Sequence, residues 1–211
     1  MPAVIAPPAP TGMIPAVSAT SAATSGRPQQ WKWTLVEYRK LGKTGFFDGR
    51  RVQLIFGEVV EMGKQGWPHV VGCRKTADIL RRVFAGTGWI NEQSPFPHDN
   101  SEPEPDVAVI PGRMEDYTDH PETAWLVVEV SDTSLSYDLT TKAELYATAG
   151  VPDYWVIDVE GRCLHVFRDP VALPAGLGAT AYSVHLTLAA TDIVSPLAAP
   201  HATVTVADLL P

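Results

Sequence analysis

The chain has 211 residues, enough for one domain with a substantial core. Hydrophobic residues make up 45% of it and charged residues 19%, a composition that excludes a largely disordered protein. Its formal net charge of -8 at pH 7 weighs against a broad nucleic-acid surface, although bound metal ions can offset a local cluster of carboxylates.

Residues 1–30 differ from the rest, because they contain six Pro and seven Ala, and Arg27 is their only charged side chain. We expect a disordered tail there and a single domain over residues 31–211. Prolines interrupt the one apolar stretch of the tail, so no secretory signal is expected. No later segment offers about 18 uninterrupted apolar residues. The protein is therefore expected to be soluble and cytoplasmic, with no membrane partner.

The first predicted elements are short. Residues 33–41 predict a helix, because Thr34 and Glu37 have the spacing of a capping box. Two strands that meet at a glycine turn are predicted at Val52–Ile55 and Glu58–Met62.

A longer helix is predicted after Pro68, and Gly86 and Gly88 end it. Its apolar residues fall on one stripe while the charged residues face away. The stripe consists of Val70, Cys73, Ala77, Leu80 and Phe84.

Cys73 and Cys163 lie in different predicted elements, which excludes a Cys-x-x-Cys metal site and a dense disulfide framework. Both cysteines are expected to be reduced and buried.

Strands dominate the middle of the chain, at Trp89–Gln93, Asp106–Ile110 and Trp125–Val130. The last of these is nearly continuous in apolar residues, which is typical of a central strand covered on both faces. A helix is predicted over Asp138–Ala149, because a Gly-Val-Pro stop signal follows it.

The remaining segments are again predicted as strands and one loop. Strands are predicted at Tyr154–Val159 and Cys163–Arg168, a loop at 170–181, and edge strands at Tyr182–Leu188 and Thr203–Val206. The order of helices and strands predicts an α/β (α+β) core.

Glu129 is the most informative residue, because it lies inside the apolar run Leu126-Val-Val-Glu-Val130. An ionised carboxylate there is costly unless a partner compensates it. A metal ion is one such partner. The alternatives are an exposed face on an edge strand or a buried pair with an arginine.

Asp106 opens the strand that precedes Glu129, and by itself it could be a turn residue. Two adjacent strands joined by a loop can, however, bring two carboxylates close enough to share a divalent cation. We therefore expect Asp106 and Glu129 to lie close together.

Lys142 is predicted to point inward, because it lies three residues after Leu139 and four before Tyr146 on the same helix. A positioned ammonium near two carboxylates can orient an attacking water and a phosphate oxygen. The alternative is an exposed ion pair with Asp138 at helical spacing.

Several blocks of sequence together resemble the Uma2 (DUF820) family of restriction-endonuclease-like proteins, over residues 34–168. The blocks, in order, are Leu54-Ile-Phe-Gly-Glu-Val-Val-Glu-Met62, His69, Pro105-Asp-Val-Ala-Val-Ile110, Leu126-Val-Val-Glu-Val-Ser131, Asp138, Lys142, Tyr146 and Ala149-Gly-Val-Pro-Asp-Tyr-Trp-Val-Ile-Asp158. Blocks that recur in a fixed order are more specific than one short motif.

The resemblance implies a PD-(D/E)XK nuclease core, a mixed central sheet flanked by helices, with Mg²⁺ or Mn²⁺ as the cofactor. It assigns the catalytic roles to Asp106, Glu129 and Lys142. The implied metal ligands are Asp106, Glu129, the Val130 carbonyl and Glu58. The implied supporting or substrate-binding residues are Ser131, Asp138, Tyr146 and His69.

The chain departs from the usual patterns at three positions. Ser131 stands where the superfamily usually has its lysine, and the family places that lysine on the following helix, where Lys142 lies. Gln53 and Phe56 stand where the family often has acidic residues, so the number of metal ligands stays open. His69 would contact a substrate phosphate, with a helix cap or a core histidine as the alternative.

The implied function is a metal-dependent DNA endonuclease that leaves a 5′ phosphate and a 3′ hydroxyl, acting as a homodimer on both strands. Candidate phosphate contacts, which could equally be a solvated helix face, are Arg74, Arg81, Arg82 and Arg113. The alternatives are a non-catalytic interaction protein with a nuclease fold, or a phosphodiesterase acting on RNA or nucleotides.

Overall fold

The computed structural model describes residues 28–173 and 180–211. Of the predicted tail, residues 1–27 lie outside this part of the chain. Trp31–Pro211 form one compact unit. Within the described ranges, no helix has the length and apolarity needed to cross a membrane.

Four elements precede the main sheet: α1 (Leu35–Gly42), β1 (Val52–Ile55), β2 (Glu58–Glu61) and α2 (Trp67–Val83). The predicted capping box is confirmed, because the Glu37 N–H donates to Thr34 Oγ1 at 3.2 Å. β1 and β2 pair antiparallel as a hairpin. Helix α2 begins before Pro68 rather than after it, since a proline in the first helical turn removes no intrahelical hydrogen bond.

A six-stranded mixed sheet forms the centre of the fold. Its strands, in spatial order, are β3 (Gly88–Glu92), β4 (Val107–Pro111), β5 (Leu126–Ser131), β6 (Asp153–Asp158), β7 (Cys163–Ala172) and β8 (Thr180–Ala189). Only β5 and β6 are parallel in this sheet, and the other pairs are antiparallel. A short 3-10 helix (Met114–Asp116) lies between β4 and β5.

Helices cover both faces of the sheet, as expected. On one face, the predicted stripe of α2 packs through Ala77 and Leu80 against Val128 and its neighbours. On the other face, the helix that follows β5 packs through Leu145 and Tyr146 against the strands. All six residues of β5 are buried, so its predicted central position is confirmed.

The helix after β5 was predicted from Asp138, and that start is wrong. It begins at Leu135 as α3 (Leu135–Tyr137), continues as a π-helical turn (Asp138–Lys142) and ends as α4 (Ala143–Thr148). The Tyr154 hydroxyl donates to the Asp138 carbonyl at 2.9 Å within this turn. Such turns are rare and occur often at functional sites.

The bounds near the C-terminus also differ from the prediction. Strands β7 and β8 extend into the predicted loop 170–181, of which residues 174–179 are not described. The predicted strand Thr203–Val206 is shorter: β10 (Val204–Thr205) pairs with β9 (Ile193–Val194), and helix α5 (Val206–Leu209) follows. Val206 and Leu209 have helical spacing and are buried against the α2 side of the sheet, which overrides the β-branched pattern.

Both cysteines are free, as predicted. Cys73 is buried, but Cys163 is only partly buried, so the prediction that both are buried is wrong for Cys163.

Asp153 connects the sheet to the segment that follows β9. Its side chain is fully buried and accepts hydrogen bonds from Trp155 Nε1 at 2.8 Å, Arg168 Nε at 2.9 Å and the Leu197 N–H at 2.9 Å. A buried carboxylate is tolerated only when its oxygens are satisfied in this way.

We predict that Asp153→Ala lowers the free energy of unfolding by about 3 kcal/mol, because it leaves the Arg168 guanidinium without its carboxylate. Urea denaturation measures this difference. The matched control is Asp208→Ala at an exposed position, which should change stability by less than about 0.5 kcal/mol. Equal stability of the two variants would contradict the role of Asp153.

Candidate active site

Asp106 immediately precedes β4, and it lies opposite Glu129 near the end of β5. Val107 is paired with Val128, and the same antiparallel register continued by one residue places Asp106 opposite Glu129. Side chains that are directly opposite point to the same face. Both are buried, with 7% and 5% of their surface exposed. The structure therefore brings together the two carboxylates on which the sequence analysis depends.

Lys142 and Tyr146 reach Glu129 from the helix above the sheet. Lys142 Nζ donates to Glu129 Oε1 at 2.8 Å, and the Tyr146 hydroxyl donates to the same oxygen at 2.6 Å. Lys142 is only 1% exposed and Asp138 is buried too, which excludes an exposed Asp138–Lys142 pair. Glu129 is likewise neither on an edge strand nor paired with an arginine, because its cationic partner is Lys142.

His69 holds Asp106 from the first turn of α2. Its Nε2 is 3.0 Å from Asp106 Oδ2, and the Val130 N–H donates to the same oxygen at 2.8 Å. His69 does not cap the helix, because Gly66 is the N-cap residue. One turn later, Cys73 places its Sγ 3.5 Å from His69 Nδ1, so His69, Cys73 and Asp106 offer ligand atoms within 4.8 Å of one another.

Burial and neighbouring charges drive the pKa values of the two carboxyls apart. Burial raises the pKa of Glu129 to about 7, even though the Lys142 ammonium opposes the shift. Burial also favours a higher pKa for Asp106, but the hydrogen bond and charge of His69 outweigh it, so this pKa lies below its ordinary value. Divergent values of this kind are characteristic of acid–base sites.

The pKa values of the two basic groups beside the carboxyls are both raised. Burial favours a lower pKa for Lys142, but the Glu129 charge outweighs it, and the pKa is raised. The pKa of His69 is raised as well, because its hydrogen bond to Asp106 outweighs the effect of burial. At neutral pH the site holds an ionised Asp106, a protonated Lys142 and a partly protonated Glu129.

A cavity of about 90 Å³ opens beside these groups, which is room for a cation and a few water molecules. Asp106, Glu129, Val130, Lys142, Asp138 and His69 all line it. Ser131 and Asp138 are linked beneath it through Ser134, which donates to Asp138 Oδ2 at 2.5 Å and lies 3.4 Å from Ser131 Oγ.

Glu58, a predicted ligand, lies apart from this group. It is exposed on β2, its carboxylate pairs with Lys32 at 2.6 Å, and it is not among the described residues that line the cavity. Residues that sequence reasoning did not select also line the cavity, among them Glu104 and Ser134. Burial raises the pKa of Glu104. The available signal was the spacing of Glu104 and Asp106, which alternate around Pro105.

Gln53 occupies one wall of the cavity, at a position where acidic residues are expected from the resemblance. It is 3% exposed, and its Oε1 has no hydrogen-bond partner among the described residues. A buried carbonyl oxygen without a partner is costly. The Gln53 side chain therefore favours either an ordered water that donates a hydrogen bond to Oε1 or a cation that Oε1 binds.

Comparisons with known proteins extend these observations. The Uma2 family model, described as "Putative restriction endonuclease", matches residues 35–206. A solved structure from Anabaena variabilis, described as "a putative nuclease belonging to DUF820", is 15% identical over 83% of this chain and 96% of that chain, with a TM-score of 0.63. At this identity the likeness establishes a shared fold. The search of curated proteins found no match.

Glu129 makes the stability of the fold pH-dependent. The pKa of Glu129 is about 7 in the folded protein, above the ordinary value of 4.5. At a pH between these two values, Glu129 keeps its proton in the folded protein and has lost it in the unfolded chain. The stabilising contribution of Glu129 is therefore complete below the unfolded value and is lost as the pH rises through about 7.

We predict that Glu129→Gln, which cannot ionise, gains stability relative to the wild type as the pH rises from about 5 to about 8 without divalent cations. The difference in Tm should become more positive by roughly 5 °C or more. Differential scanning calorimetry measures it, with the exposed Glu115→Gln as the control that shows a constant difference. If the Tm of Glu129→Gln instead falls relative to that of the wild type as the pH rises, Lys142 stabilises the Glu129 anion more than burial destabilises it.

Proposed function

The chain belongs to the Uma2 family, as the resemblance predicted, and we propose that it is a metal-dependent DNA endonuclease with a PD-(D/E)XK-type centre. The observation that carries this proposal is the buried pair Asp106 and Glu129, which faces Lys142 beside one cavity. Two carboxylates and one ammonium in a cavity open to water are the groups that metal-assisted phosphodiester hydrolysis requires.

The donor set fits Mg²⁺ or Mn²⁺. Asp106, Glu129 and the Val130 carbonyl would hold the ion, and these are the hard oxygen ligands that both ions prefer. The N–H and O–H donors of the described residues reach Asp106 Oδ2 and Glu129 Oε1, which leaves the second oxygen of each carboxylate for a cation. When bound, a divalent cation lowers the pKa of the attacking water and offsets charge on the phosphate.

The side chains of the site orient the reacting groups. Lys142 uses one of its three N–H donors on Glu129, so the others are available to the attacking water and to a phosphate oxygen. Tyr146 holds Glu129, and His69 holds Asp106, each through a hydrogen bond to one carboxylate oxygen. Fixing both carboxylates in this way reduces the reorganisation that the reaction requires.

Basic side chains at the mouth of the cavity suit a nucleic-acid backbone. Arg51 and Lys64 line the cavity and are exposed, and either could neutralise a phosphate. Two of the four arginines selected from the sequence are already engaged, because Arg74 and Arg81 both pair with Glu92. Trp67 is 76% exposed beside the cavity residue Gly66, where its ring could stack on a base.

We predict that wild-type protein nicks supercoiled plasmid with Mg²⁺ or Mn²⁺, and that Asp106→Asn and Lys142→Met lower the rate at least about 100-fold. Calorimetric titration on the same samples should show that Asp106→Asn also weakens metal binding. Circular dichroism checks that both variants fold, and Glu115→Gln is the control that keeps full activity.

The outcomes separate the alternatives. Absent metal binding and absent nicking would favour a non-catalytic interaction protein, and nicking that persists in both variants would show that the proposed centre is not the catalytic one. Cleavage of RNA but not DNA would favour the RNA phosphodiesterase.

We also propose that the active form is a homodimer, because two copies of one centre can cut both strands. Sedimentation velocity tests this, and a monomer that makes double-strand cuts would contradict it.

A further inference from the structure

A second group of metal-ligating side chains lies at the hairpin between β6 and β7. Asp158, Cys163 and His165 each offer a ligand atom within 4.8 Å of the other two. Cys163 Sγ is 3.8 Å from Asp158 Oδ2 and 3.7 Å from His165 Nε2. Among the described residues, none of these three lines the cavity at Asp106 and Glu129.

The strand register creates this group. Asp158 is paired with Cys163 across the hairpin, and His165 lies two residues further along β7 on the same face. The Gly161 N–H donates to Asp158 Oδ1 at 2.8 Å, which fixes the carboxylate with Oδ2 beside the thiol. Gly161 suits this orientation, because a Cβ at this position would clash with the Asp158 carboxylate.

The distances suit a tetrahedral ion with one sulfur ligand. Zn²⁺ binds sulfur at about 2.3 Å and nitrogen or oxygen at about 2.0–2.2 Å, so a tetrahedral angle places such ligand pairs about 3.6 Å apart. The observed 3.7 and 3.8 Å are close to this value. A donor set of one thiolate, one imidazole and one carboxylate favours Zn²⁺ over Mg²⁺, which prefers oxygen ligands throughout.

Neighbouring side chains of β8 orient the imidazole. His165 Nδ1 is 3.2 Å from His185 Nε2 and 3.2 Å from Thr187 Oγ1, and either atom can accept the Nδ1 proton. His165 Nε2 is then free to bind a metal on the side of Cys163, as is usual for histidine ligands. His185 is in turn stacked on Phe167, with ring centroids 4.1 Å apart.

We propose that Asp158, Cys163 and His165 bind a Zn²⁺ ion, with Thr187 and His185 as positioning residues and a water in the fourth position. The ion joins β6 to β7 and, through His165, to the edge strand β8. Its binding to the folded chain alone stabilises this side of the sheet by mass action. This site is independent of the proposed nuclease activity.

Titration of the metal-free full-length chain with Co²⁺ and Zn²⁺ tests the site. A thiolate ligand gives Co²⁺ a charge-transfer band, and we expect one that Zn²⁺ displaces. Cys163→Ser should abolish the band, and Thr187→Ala should weaken binding roughly tenfold. Zn²⁺ should also raise the Tm of the wild type more than that of Cys163→Ser, because the proposed ion site at Asp106 and Glu129 is present in both proteins.

Cys73→Ser is the matched control, because Cys73 belongs to the other group of potential ligands, at the active site. This variant should keep both the band and the Zn²⁺-dependent rise in Tm. A band that is lost in Cys73→Ser but kept in Cys163→Ser would overturn the proposal and assign the ion to the active site. Absence of a band in the wild type would also overturn the proposal. Asp158 would then be a turn residue that accepts a hydrogen bond from the Cys163 thiol.

Discussion

The burial of one ion pair, Glu129 with Lys142, is the constraint on which the rest of the site depends. Removing each charge from water costs several kcal/mol, and the attraction between them offsets this only when their geometry is fixed. The central strand β5 fixes the carboxylate, and the helix above it fixes the ammonium. Tyr146 adds a second donor to the same oxygen. The helix must therefore lie across the sheet so that Lys142 reaches Glu129. In any other position both side chains would be buried without a partner.

The π-helical turn reconciles this requirement with packing of the helix. Its two ends, Asp138 and Lys142, are both buried, while Leu145 and Tyr146 one turn later pack into the apolar layer against the sheet. A helix with ideal α geometry keeps one apolar stripe toward the core. The π turn instead admits two charged side chains into that layer, and the Tyr154 hydroxyl satisfies the Asp138 carbonyl.

Burial raises the pKa of Glu129, and the cation proposed for this site would offset the cost of ionising it. Without a divalent ion, Glu129 is only partly ionised near neutral pH, and Gln53 Oε1 lacks a partner among the described residues. Both features cost stability, and both would be relieved by a cation with its water shell. Local destabilisation of this kind is common where structure serves function. The group at Asp158, Cys163 and His165 differs in that pairing between adjacent strands brings its members together.

Local patterns in the sequence were sufficient for much of the fold. The α2 stripe, the Thr34 cap and the central position of β5 depend on periodicity and near neighbours, which the sequence carries directly. The approach of Asp106 to Glu129 could also be predicted, because adjacent strands linked by a loop pair in antiparallel register. The apolar run around Glu129 was enough to indicate a buried carboxylate that requires a partner.

Contacts between distant segments decided the rest. The hydrogen bond of His69 to Asp106 spans 37 residues, and Gln53 enters the cavity from a hairpin outside the main sheet. Glu58 has a suitable chemistry, but β2 places it beside Lys32 on the surface. The π turn and the helical start at Val206 are likewise effects of burial against other elements. Desolvation and packing act on the assembled fold, so a sequence pattern that reports only local spacing does not contain them.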